Sequence, residues 1–320
     1  MHSPEEDGQV SHWVLACVVM LGVYAAAGII FSSLISLSWR AGLSQVPFRS
    51  DSLLVLRLLP GAGAALLVFS VILPAFLAYE PAHESEGAGP LLWALAALSV
   101  IALGDGIRRG WHARKSARKL LQSFAVVAEH WTADGHCVEI VDAPEPIVAV
   151  VGGWLPRIIA AERVLAICSE AEFRQVIAHE VAHLSARDNL KCLLLVACPD
   201  PLAWLPMGAA LLRRWQIAVE FEADERATGS DPHRRVALAS ALIKVARLAI
   251  GAHGTRTLLS LAIASDDVQG RVRQLLAPVR TRMRSTIGGM AILGLLVPLA
   301  ALPLHARVHH LIEYLVAFGR

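Results

Sequence analysis

The sequence predicts a multi-pass α-helical membrane protein that carries one mostly helical α+β domain. Three observations lead there. Of 320 residues, 55% are hydrophobic and only 18% charged, against roughly 25% charged in an ordinary soluble domain. Long charge-free apolar stretches lie toward both ends of the chain, and residues 105–284 between them make a segment of one domain's size. The composition excludes a disordered, fibrous or coiled-coil protein and tells against a wholly soluble enzyme. The formal net charge of +2 gives no global basic excess, so direct nucleic-acid binding is not expected. Five cysteines, an odd number without CxxC spacing, argue against a disulfide framework or a cysteine zinc site. A reducing compartment for the soluble part is the simplest reading.

Four spans are expected. No charge occurs between Asp7 and Arg40, and the apolar run 14–38 is flanked by Trp13 and Trp39, an aromatic at each interface. A cleaved signal peptide has a basic start, whereas Glu5, Glu6 and Asp7 stand here, so this span is read as uncleaved. The second span covers 53–79, with Arg57 snorkelling to the near interface and a kink expected at Pro60, Gly61 and Gly63. The third, 90–104, is short, and a buried soluble helix is its plain alternative. The fourth covers 285–304, leaving 305–320 as a short extracytoplasmic tail.

Loop charges orient these spans. Arg40 and Arg49 follow the first span, and only acidic residues (Glu80, Glu84, Glu86) follow the second. Arg108, Arg109, Arg114, Lys115, Arg118 and Lys119 follow the third, and Arg271, Arg273, Arg280, Arg282 and Arg284 precede the fourth. The positive-inside rule puts the N terminus outside and residues 105–284 in the cytoplasm. Both basic clusters are assigned to lipid headgroups.

Within the domain, 121–168 reads as strands and turns around Pro144 and Pro146. In a peptidase, an exposed edge strand beside the site holds an extended substrate by backbone pairing; plain sheet with no such role is the alternative. Ser169 and Glu172 fit a capping box, and Phe173, Val176, Ile177, Val181 and Leu184 form an apolar stripe at helical spacing. These predict a helix over 170–196 and a second over 207–228, separated by Pro199, Pro201 and Pro206. The apolar stretch 193–212 reads either as a buried hairpin or as a loop dipping into the membrane surface.

The chemistry concentrates in His179-Glu180-Val181-Ala182-His183. On a helix, His179 and His183 share a face and can bind one zinc ion, with Glu180 beside them as general base for the metal-bound water. A catalytic zinc takes three protein ligands and keeps a position open. The downstream run Glu220-Phe221-Glu222-Ala223-Asp224 supplies the third. Glu220 is assigned as ligand and Asp224 as the acceptor for a ligand histidine's other nitrogen; Glu222 and Glu225 stay open as alternative ligands. A solvated acidic face is the plain alternative. His130, His136, His233 and His253 read as surface or capping residues, and His305, His309 and His310 fall on the far side of the membrane. Arg187 and Asp188 are read as a helix tie or surface pair outside catalysis. Arg213 and Arg214 are open to headgroups, structural carboxylates or a substrate carbonyl.

The whole pattern resembles the BlaR/MecR-type membrane zinc metallopeptidases, the beta-lactam sensor-transducers. Three spans before a zinc domain and one after it are similar to that arrangement. So are "GGWLPRIIAAERVL" (152–165), "EFRQVIAHEVAHLSARDNL" (172–190) and "EFEAD" (220–224). The resemblance implies a cytoplasmic zincin-like metallopeptidase domain in a bacterial inner (cytoplasmic) membrane. It puts ligands at His179, His183 and Glu220, the base at Glu180 and the supporting acid at Asp224. It also implies one catalytic Zn2+ and a protein substrate, such as a BlaI-like repressor in a signalling pathway. Ala223 stands where that family commonly has cysteine, and Asp200-Pro201 where it has a His-Pro pair. The Glu-x-x-Ala-Asp form is more like the HtpX-like proteases, whose substrates are misfolded membrane proteins. No extracellular penicillin-binding sensor is expected after 304, so beta-lactam sensing by this chain alone is not expected either.

Three readings thus compete: a regulatory endopeptidase, an HtpX-like quality-control protease, and a catalytically silent signalling scaffold stabilised by metal. Glu180 weighs against the scaffold, because a purely structural site needs no base. A transporter is disfavoured by spans that lack a mid-membrane acid.

Overall fold

The computed structural model describes residues 4–79, 88–123, 125–133, 135–152, 156–252 and 268–278. The fourth span and the tail, along with His253, His305, His309 and His310, lie outside them. The chain divides into two compact units, one on Met1–Arg109 with Leu195–Leu212 and the other on Gly110–Leu194 with Arg213–Arg284.

The first unit is helical. It contains α1 (Pro4–Arg40), α2 (Ser50–Leu67), a π-helical turn (Val68–Ile72), α3 (Leu73–Tyr79) and the start of α4 (Pro90–Ser123). Three stretches, His12–Arg40, Ser50–Ala78 and Pro90–Lys119, are long and apolar enough to cross a membrane. The shortest is 29 residues, or roughly 43 Å of helix at about 1.5 Å per residue, beyond the ~30 Å hydrocarbon core. This is a multi-pass membrane protein. The third helix does not stop at 104. Its basic continuation is rich in good helix formers, so polarity changes while the helix does not.

Two expectations for the second span need correction. Helix α2 runs through Pro60, and the irregular turn falls later, at Val68–Ile72. Gly61 serves close packing: a Cβ there would sit 3.0 Å from Cys198 Sγ and 3.4 Å from Tyr24 Oη. Arg57 does not snorkel. It is 4% exposed and ion-paired at 2.5 Å with Asp200, which is 1% exposed. The segment around Asp200 is fastened at further points within this unit. Tyr24 Oη donates to the Pro199 carbonyl at 2.8 Å, Arg109 donates to the Cys198 carbonyl at 2.9 Å, and Trp204 Nε1 donates to Asp105 at 3.1 Å. Asp200 is thus neutralised beside a short 3₁₀ turn (Pro201–Trp204), while Trp204 and Leu205 stay exposed.

The second unit opens with a four-stranded sheet of β1 (Ala125–Ala133), β2 (His136–Asp142), β3 (Val148–Val151) and β4 (Arg157–Ala161) in the order β1-β2-β4-β3. The β2–β4 pair is parallel and the other two pairs are antiparallel. β3 is thus an edge strand. The inward residues Val138, Ile140, Ile158 and Ala160 pack with Val164 of α5 (Glu162–Ile167) and with Phe173 and Ile177 of α6 (Glu170–Ala186). Then follow α7 (Asp188–Ala197), α8 (Pro206–Thr228), α9 (Pro232–Ala252) and a helix over 268–276, α10. On its other side α6 packs through Val176 against Leu238, Ala241 and Leu275.

The helix expected over 170–196 is two helices. Arg187 sits between them in the left-handed region, φ 55° and ψ 38°. A non-glycine residue there costs about 1–2 kcal/mol, and the break redirects Asp188 toward the face that carries His183.

Candidate metal centre

The capping box that starts α6 is present in full. Glu172 N–H donates to Ser169 Oγ at 3.3 Å, and Ser169 N–H donates to Glu172 Oε2 at 2.7 Å. From that start His179 and His183 fall one turn apart on one face. Their rings meet edge to face with centroids 4.6 Å apart, and their Nε2 atoms are 3.0 Å from one another. Helix α8 brings Glu220 to the same point, Oε2 3.4 Å from His179 Nε2 and Oε1 3.5 Å from His183 Nε2. One ligand atom from each of the three lies within 4.8 Å of the others.

Each imidazole is held from behind. His179 Nδ1 is 2.9 Å from Asp224 Oδ1, and His183 Nδ1 is 2.9 Å from Asp188 Oδ2. A carboxylate at Nδ1 keeps the proton there and turns the Nε2 lone pair inward. Two such lone pairs 3.0 Å apart repel unless a proton or a metal ion lies between them. Burial pushes His179 down as a base, but Asp224 and then Glu220 outweigh it and hold its pKa up at about 9. The carboxylates of Asp224 and Glu220, 2.9 and 3.4 Å from His179, favour positive charge at this point. Two nitrogens and one carboxylate oxygen, each oriented by its neighbours, form a donor set that fits a catalytic zinc ion.

Arg271, on α10, crosses the carboxylates. Its Nε and Nη2 donate to Asp224 Oδ2 and Oδ1 at 2.9 and 2.7 Å, and its Nη1 lies 2.8 Å from Glu220 Oε2. Burial raises the affinity of Glu220 for a proton, but the His179 hydrogen bond and the Arg271 charge overcome this and hold its pKa at about 2. Asp224 is likewise held down, because His179 and Arg271 outweigh its burial.

Glu180 faces the sheet. Its Oε2 accepts from Val150 N–H of β3 at 3.0 Å. Burial pushes its pKa up, against the pull of His179 and His183. The next helix reinforces the link, as Asn189 Nδ2 donates to the Val150 and Gly152 carbonyls at 2.7 and 3.0 Å. A cavity of about 580 Å3 opens beside the cluster, bordered by β3, Glu180, Trp215 and Arg271 and by apolar side chains such as Leu238 and Leu242.

All five residues expected at the site, His179, Glu180, His183, Glu220 and Asp224, are brought together. Glu222 is buried but lies 3.7 Å from Arg226, and Glu225 is exposed; neither enters the metal-ligand group. Two expectations are corrected. Of the two readings of Asp188, helix tie or surface pair, the structure excludes the surface pair: Asp188 is 5% exposed and lies 2.9 Å from His183 Nδ1. Arg271 is not at the headgroups: it is 9% exposed and paired with Glu220 and Asp224. Asp188 had a signal, an acid just past the motif, which an unbroken helix would have pointed elsewhere. Arg271 had none, being 92 residues from His179.

Residues 114–222 match the family model described as Peptidase family M48. The segment contains β1 to β4 together with His179, Glu180, His183 and Glu220, while Asp224 and Arg271 lie beyond its end. The M48 match fits a membrane protease of this family and does not separate the BlaR/MecR type from the HtpX type. The His179, His183 and Glu220 cluster is consistent with an HExxH zinc metalloprotease site. No curated protein and no solved structure matches the chain.

Proposed function

We propose that this protein is an integral membrane zinc endopeptidase that cleaves a protein substrate on the cytoplasmic side of a bacterial inner membrane. The observation that carries this reading is the convergence of His179, His183 and Glu220, with Glu180 beside them, inside the segment that matches the M48 family model. The charge pattern of the loops supports the sidedness. His179, His183 and Glu220 would hold the ion, which when bound supplies a Lewis acid and a lowered water pKa.

The remaining steps belong to the chain. Glu180 takes the proton from the attacking water and returns it to the leaving amine. Val150 N–H fixes the carboxylate that does so. Asp224 and Asp188 keep the two imidazoles in the ligating tautomer. Ile147 bonds inward, its carbonyl accepting from Ala161 N–H at 2.7 Å. The alternation of an antiparallel strand then turns Val148 and Val150 outward. Val150 is engaged by Glu180 and Asn189, and Val148 borders the cavity. An extended substrate would pair at Val148 and place an apolar side chain in the cavity.

A BlaI-like repressor is the regulatory substrate consistent with the sequence resemblance. The apolar cavity wall favours a second reading, broad cleavage of misfolded membrane proteins by an HtpX-like enzyme. Incubating the purified protein with a winged-helix repressor and with unfolded apolar proteins separates them. Cleavage of the repressor alone supports regulation, and cleavage of the whole panel supports quality control.

A further inference from the structure

We propose that Arg271 is a positioning residue that makes Glu220 a one-oxygen ligand, so that a coordination position stays open for water. The inference rests on the zinc-site reading above and assigns a role to a residue outside the M48 match. A glutamate beside a metal can present one oxygen or two, and nothing on α8 itself decides between them. Both oxygens face the histidines, Oε2 at 3.4 Å from His179 Nε2 and Oε1 at 3.5 Å from His183 Nε2; Arg271 breaks this symmetry by engaging Oε2 at 2.8 Å, which leaves Oε1 as the oxygen to ligate. The guanidinium is not free to drift, because its other edge grips both oxygens of Asp224 at 2.9 and 2.7 Å. Asp224 in turn orients His179. One planar fork therefore ties the third ligand to the carboxylate that aims the first.

Only arginine fits this task. The pattern needs three donors in one rigid plane on two carboxylates, and lysine offers a point charge with no fork. Charge also requires it. Glu180, Asp188, Glu220 and Asp224 crowd one centre, and a divalent ion alone leaves an anionic excess that Arg271 reduces. The link is long-range: 47 residues separate Arg271 from Asp224, so the ligand geometry depends on α10 being docked.

The test uses the full chain in detergent, as wild type, Arg271→Lys and Arg271→Gln. Zinc affinity is measured by chelator competition, and the visible bands of the cobalt(II)-loaded protein are recorded, since these weaken as coordination number rises. The proposal expects wild type to load one ion with strong cobalt bands. Both variants should bind about 10- to 100-fold more weakly, the range for residues that orient metal ligands, and their cobalt bands should weaken as Oε2 joins the metal. Arg271→Lys keeps the buried charge and decides the matter even if Arg271→Gln does not fold. Wild-type affinity and wild-type bands in Arg271→Lys would overturn the clamp and leave the zinc site standing. A lowered melting temperature with unchanged bands would also overturn it, marking Arg271 as merely structural. A folded wild type that loads no metal would overturn the zinc-site reading beneath it.

Discussion

Asp188 Oδ2 lies 2.9 Å from His183 Nδ1, across a helix break at which Arg187 alone among the described non-glycine residues has positive φ. The break and the contact explain one another. A continuous helix would carry Asp188 around to another face, so the left-handed residue is what sets the carboxylate behind the histidine. Replacing Asp188 by Asn removes the charge that favours the Nδ1–H tautomer. We expect Asp188→Asn to fold and to bind zinc about 10- to 100-fold more weakly, as read by chelator competition. Unchanged affinity would show that His183 needs no such anchor.

The buried pair Arg57–Asp200 makes a different kind of prediction. Losing one partner leaves the other charge buried and alone. Arg57→Leu or Asp200→Leu should each destabilise the detergent-solubilised protein by about 3–5 kcal/mol. The double replacement should cost much less than either single change, because no orphan charge remains. Thermal unfolding of the four proteins checks this, and simple additivity of the two single effects would refute it.

Glu172 links α6 to α9. Its carboxylate accepts from Lys244 Nζ at 2.7 Å, from Ser240 Oγ at 2.5 Å and from Ser169 N–H. Burial pushes its pKa up, but these bonds outweigh it and depress the value from 4.5 to about 2. A depressed pKa means that the folded state prefers the ionised group. Its stabilising contribution is complete above about pH 4.5 and disappears as pH falls toward about 2. The stability gap between wild type and Glu172→Gln should therefore close over that window, measured with chelator present so that metal release does not contribute. A gap that stays constant from pH 6 to about pH 2 would contradict the assignment.

The most local features of the site were the most legible. His179 and His183, or Glu220 and Asp224, need only helical geometry to share a face. That the two helices face each other followed from chemistry, since buried carboxylates need a partner. Asp188 was misread because nothing in the sequence marks Arg187 as left-handed, glycine being the usual residue there. Arg271 was misread because it sits in a run of arginines whose charge pattern follows membrane sidedness. Arg57 and Asp200 carried a signal that went unused: each is an isolated charge in an apolar stretch, and two such charges of opposite sign are a pair to be tested. The third helix was cut short because polarity was allowed to end it, although 105–123 has no proline and its two glycines, Gly106 and Gly110, weaken a helix without ending it.

The most direct test compares proteolysis by the zinc-loaded wild type and by Glu180→Gln, both as full chains in detergent, on the repressor and unfolded-protein panel. Zinc content and melting temperature are measured on the same samples. The account predicts cleavage by wild type and a loss of about 10²- to 10⁴-fold in the variant, the range for removing a general base, with zinc content and fold unchanged. Cleavage at the wild-type rate by a folded, zinc-loaded Glu180→Gln protein would contradict it.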